Sequence, residues 1–99
     1  MALEVSARLG QNASAPATVS VGEASTVVVA RNTDRRGAVF VNTSLNRISF
    51  GIGTAAVMDR GITLYPQGVW EMTEHTFTTE AINAIASAEG SALAVQEFS

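Results

Sequence analysis

The sequence contains no cysteine and no lysine. The first absence rules out a disulfide framework and any thiolate metal site. The second leaves arginine to carry all the fixed positive charge, at Arg8, Arg31, Arg35, Arg36, Arg47 and Arg60. Set against the carboxylates, these give a net charge of −3. Nucleic-acid binding needs a dense basic footprint, so no nucleic-acid partner is expected. Charged residues of both signs make up only 15% of the chain, against about a quarter in an average domain. The apolar runs, such as Val27 to Ala30, are far too short to cross a bilayer. Met1 to Arg8 also lacks the basic start and apolar stretch of a signal peptide. No membrane contact is expected, and synthesis in a cytosol is. The triplets at Asn12 and Asn42 match the glycosylation pattern, but without a secretion signal both read as turn or strand residues.

What is present points to one folded domain. The chain has 99 residues, 46% of them hydrophobic, which is enough for one modest core. A small domain with so little charge exposes weakly charged surface. Oligomerisation or docking on a partner would cover it.

Residues 1–16 differ in texture from the rest. They are rich in Ala, Ser and Asn, and Leu3, Val5 and Leu9 are their only sizeable apolar side chains. The pair Val5 and Leu9 fits one helical turn, and the pair Leu3 and Val5 fits a strand. The segment reads either as a frayed terminus or as an arm that orders against a neighbouring chain.

From Ala17 the pattern becomes β. Thr18-Val19-Ser20-Val21 alternates, and the β-branched run from Thr26 to Val29 fits a strand buried on both faces. Ala38 to Val41 and Ile48 to Ile52 follow across a short polar link, which predicts an antiparallel hairpin. Further strands are predicted at Ile62–Tyr65, Val69–Thr73 and Leu93–Phe98, with a strong turn at Pro66-Gln67-Gly68. The segment Ala81–Ser87 is compatible with helix or strand, and its strand-rich neighbourhood favours strand. Short strands punctuated by turns predict an all-β domain at 17–99. It should be a single antiparallel β-sandwich or barrel of seven to eight strands, preceded by an extended N-terminal arm at 1–16. The predicted core is Val28, Val39, Val41, Ile48, Phe50, Ile52, Ile62, Leu64, Trp70, Ile82, Leu93 and Val95.

Catalytic chemistry finds little to work with. The one histidine, His75, sits beside Glu74 in a polar stretch. No serine lies in a nucleophile elbow. Glu71, Glu74, His75 and Glu80 fit no zinc pattern, and no loop fits calcium. Gly51 and Gly53 are not followed by the rest of a dinucleotide motif. They read instead as places where another backbone comes close. No enzyme activity, cofactor or metal is expected. Arg31, Arg35 and Arg36 form the one concentration of positive charge, read either as a solubilising loop or as a contact for an acidic protein surface.

The run Arg35-Arg36-Gly37-Ala38-Val39-Phe40-Val41-Asn42-Thr43-Ser44, followed by Ile48–Gly53, Gly61–Gly68 and Ala81–Ser87, resembles small β-domain virion proteins of tailed bacteriophages. The likeness spans about residues 25 to 98 in order. It implies a capsid decoration, or cement, protein on the outer surface of the head. Such a protein would form homo-oligomers, commonly trimers, and bridge subunits of the major capsid protein. The interface residues expected on this reading are Leu3, Val5, Leu9, Arg31, Arg35 and Arg36. The rival is a tail- or head-fibre-associated domain that binds host-surface glycan or another virion protein. Such a domain would need exposed aromatic side chains.

Overall fold

The computed structural model describes residues 13–99. They form eight strands: β1 (Ala17–Val21), β2 (Thr26–Val29), β3 (Gly37–Asn42), β4 (Ile48–Ile52), β5 (Thr63–Leu64), β6 (Val69–Glu71), β7 (Ile82–Ala86) and β8 (Ser91–Phe98). The strands build two antiparallel sheets, ordered β1-β8-β3-β6 and β2-β7-β4-β5. The ladders have a simple rule. The first strand pairs with the last, β2 with β7, β3 with β6, and β4 with β5. That is one long antiparallel ribbon rolled up on itself, and contacts β3–β8 and β4–β7 close the roll. Two sheets of this order make a jelly roll. The expected all-β sandwich is therefore the observed one, and Ala81–Ser87 supplies strand β7.

The predicted hairpin between β3 and β4 does not form. Both edges of β3 are taken by β8 and β6, and β4 lies in the other sheet. Asn42 explains the switch. Its side chain is fully buried, and its Nδ2 donates to the carbonyls of Asn46 at 2.6 Å and Leu64 at 2.9 Å. Its Oδ1 accepts from the Ser44 N–H at 2.9 Å. These bonds hold residues 42–46 as an arch from one sheet to the other. A second expectation also fails. Strand β2 is an edge strand, not one buried on both faces: Val27 is 54% exposed and only Val29 is buried.

The core holds Val21, Val29, Ala38, Phe40, Ile48, Phe50, Leu64, Trp70, Ile82, Ala84, Ala86, Leu93 and Val95. At its centre Phe40 stacks on Trp70 with ring centroids 4.8 Å apart. Phe50 meets both rings edge-on, at 5.3 and 5.2 Å. Five predicted core positions are corrected. Val39 and Val41 face outward because β3 is turned to place Phe40 and Asn42 inside. Val28 and Ile62 are half-buried at the margin, and Ile52 is exposed.

The two outer faces of the sandwich are treated differently. The loop 53–62 between β4 and β5 folds back over the outer face of the second sheet. The Asp59 N–H donates to Ser49 Oγ at 2.8 Å. Asn83 Nδ2 donates to the Thr54 carbonyl, and the Ala56 N–H donates to Ser25 Oγ, both at 2.8 Å. Gly51 makes this contact possible. A Cβ there would sit 2.5 Å from the Thr54 carbonyl oxygen and 2.7 Å from Ala55 backbone. Gly51→Ala should therefore lift the loop and lower stability by about 1–3 kcal/mol. Urea denaturation with a tryptophan fluorescence readout measures it, and a midpoint equal to wild type would refute the packing argument.

Candidate functional site

Among the described residues, no loop covers the outer face of the first sheet in this way. Outward positions follow from the alternation on each strand. They are Thr18 and Ser20 on β1; Ala92, Ala94, Gln96 and Phe98 on β8; Gly37, Val39 and Val41 on β3; and Val69 and Glu71 on β6. The register sets them in rows. Thr18 lies opposite Ala94, Ala94 opposite Val41, and Val41 opposite Val69. Beside that row, Gln96 lies opposite Val39, and Val39 opposite Glu71. Glu71 is the one ionisable side chain among these positions. Val69 is 58% exposed. A shallow groove of about 220 Å³ crosses the face between Pro16, Val39, Val41, Ala94 and Gln96.

A flat, nearly uncharged apolar face can exclude water against a matching surface. The sequence signal for it was present but ambiguous. Strand β3 is apolar in both phases, and β8 alternates large aliphatics with alanine rather than with charge.

The expected contact residues divide. Leu3, Val5 and Leu9 lie outside the described residues. Arg31 and Arg36 are exposed on the loop between β2 and β3. Arg35 is corrected: it is buried inside the chain, only 2% exposed, and cannot meet a partner. Its Nε donates to Glu97 at 2.6 Å. Its two terminal nitrogens donate to the carbonyls of Thr78, Glu80 and Ala30, at 2.8 to 2.9 Å. The guanidinium thus ties three chain segments together at the end of the sandwich where Ala13 pairs with Phe98.

The remaining polar features are local. Arg47 pairs with Asp59 at 2.8 and 3.1 Å at the surface, and that hydrogen bond together with the Asp59 charge raises its pKa. His75 sits exposed, 3.4 Å from Glu74. Among the described residues, no three of His, Asp and Glu gather as a metal would require. No helix among them is long and apolar enough to cross a membrane. Tyr65 and Phe77 are exposed, at 63% and 44%. Alternating strand direction puts them at opposite ends of the sandwich, so they do not form one stacking platform. A second apolar groove, of about 330 Å³, lies beside the folded-back loop between Phe50, Ile52, Val57 and Ile62.

No protein-family description matches the chain, and neither does any curated protein or solved structure.

Proposed function

We propose that this protein is a capsid decoration, or cement, protein of a tailed bacteriophage. It binds the outer surface of the head as a homo-oligomer, a trimer in the simplest case. There it stabilises the shell by bridging subunits of the major capsid protein. One observation carries the reading: a small, weakly charged sandwich covers one outer face with its own loop and leaves the other apolar and uncovered by any of the described residues. The resemblance of its strand motifs to phage virion proteins supplies the kind of partner. Jelly rolls recur in viral shells, but also in lectins and cupins, so the fold is only congenial to this reading.

Magnitudes favour a lattice. At strand spacings near 4.8 Å and rises near 3.3 Å per residue, the bare face covers roughly 350 Å². A stable interface takes about 800 Å² from each partner. One copy holding on by this face alone would bind weakly. Repetition over a shell, with several contacts per oligomer, converts weak binding into firm attachment.

The test is binding of the purified protein to empty phage heads, measured by co-sedimentation. The double substitution Val41→Glu with Val69→Glu places two carboxylates on the apolar face. It should weaken attachment at least about a hundredfold, since desolvated unpaired charges are costly, with the far-UV circular dichroism unchanged. Equal attachment by the variant would show that this face is not the contact. Binding to host envelope fractions in place of heads would transfer the protein to the fibre-associated reading.

A further inference from the structure

An open sheet has two edge strands, and natural proteins guard them by shortness, charge, proline or a bulge. Three of the four edges here are guarded. Strand β5 has 2 residues and β6 has 3. Strand β2 has a register irregularity between Val27 and Val29. Strand β1 is the exception. It runs 5 residues, Ala17-Thr18-Val19-Ser20-Val21, in unbroken register with β8. It carries no charge, and among the described residues its other edge is in no ladder. Its faces alternate: Val21 is buried and Val19 packs on the core, while Thr18 and Ser20 are exposed.

The sequence holds a segment that fits such an edge. Leu3-Glu4-Val5-Ser6-Ala7-Arg8-Leu9 alternates apolar with polar at every step. Laid antiparallel on β1, its apolar side would extend the layer of Val19 and Val21. Its polar side would extend Thr18 and Ser20 into solvent. We propose that β1 accepts residues 3–9 of a neighbouring copy as an added strand, by main-chain pairing.

The geometry favours a neighbour over the same chain. Ala13 lies opposite Phe98, and Ala17 opposite Val95. Four steps on one side therefore face three on the other, which marks a bulge at residues 14–16. Pro16 within it has no N–H to give. A segment folding back in its own chain must first run along this bulged stretch. It would reach β1 only with its far end. A strand from another copy can lie straight along Ala17–Val21. A strand passed from each copy to the next is a head-to-tail contact, which closes into a ring when the rotation between copies closes. The inference concerns the protein in solution and stands whether or not the shell is its partner.

The lack of native cysteine allows a clean test. Full-length Ser6→Cys with Thr18→Cys, or Ser6→Cys with Ser20→Cys, is oxidised and run on a non-reducing gel. Disulfide-linked multimers are expected, absent when Ser6→Cys is combined with Val57→Cys, which is exposed on the loop over the second sheet. Val5→Pro should abolish those multimers. In light scattering it should reduce the particle to the 10.3 kDa of one chain, with circular dichroism unchanged. Links confined within single chains, no links at all, or a wild-type protein already monomeric would overturn the proposal.

Discussion

Arg35→Ala is expected to lower stability by about 3–5 kcal/mol, the usual result when one partner of a buried ion pair is removed. The substitution leaves the Glu97 carboxylate without its buried partner. It also strips hydrogen bonds from the carbonyls of Ala30, Thr78 and Glu80. Those carbonyls belong to two different loops, and Glu97 belongs to β8. No smaller side chain spans the three. Arg35→Lys keeps the charge but not the planar fork, and should recover only part of the loss. A domain of this size has about 5–15 kcal/mol in total, so the alanine variant should be marginal at growth temperature. Thermal melts and guanidinium denaturation measure the effect. A melting temperature within a few degrees of wild type would show that the clamp is dispensable.

Phe40→Ala should cost a similar 3–5 kcal/mol. Its ring is wholly buried, stacked on Trp70 and edge-on to Phe50. Removing it opens a hole between the two sheets, and neither neighbour can fill that hole without leaving the other. By contrast, Val39→Ala on the same strand should cost well under that, since Val39 faces outward. The comparison also tests the strand's orientation. If Val39→Ala were the more damaging of the two, Val39 and not Phe40 would be the core residue. Urea midpoints for the pair decide it.

That orientation marks where sequence reading stopped. Alternation says that a strand has two faces, and says which is core only when one face is polar. In β4 the partners of Ile48 and Phe50 are serine and glycine, so those two residues were legible. In β3 both faces are apolar, and Val39 and Val41 looked as suitable as Phe40. The ambiguity and the candidate site have one cause. Residues that look fit for burial lie on the outer face of the first sheet, where none of the described residues covers them. Local rules fail most often at functional surfaces. Arg35 misled for a different reason. An arginine flanked by Asp34 and Arg36 reads as solvent-exposed, and only the fold brings Glu97 and two distant carbonyls to it. The arch at Asn42 was hidden in the same way. A short polar link is what a hairpin uses, and its buried hydrogen bonds depend on Leu64, which is remote in sequence.

The rolled ribbon has a consequence for how the chain is made. β8 lies between β1 and β3, the two earliest strands of its sheet, and is itself the last of the eight to be synthesised. During translation the first sheet stays in two pieces until β8 leaves the ribosome, with β1 on one side and β3 paired with β6 on the other. Contacts of such long sequence separation form slowly, and exposed strands invite aggregation while they wait. Productive folding must therefore follow the emergence of the final strand. Slowing synthesis between β1 and β8 should lengthen the period in which the protein is vulnerable.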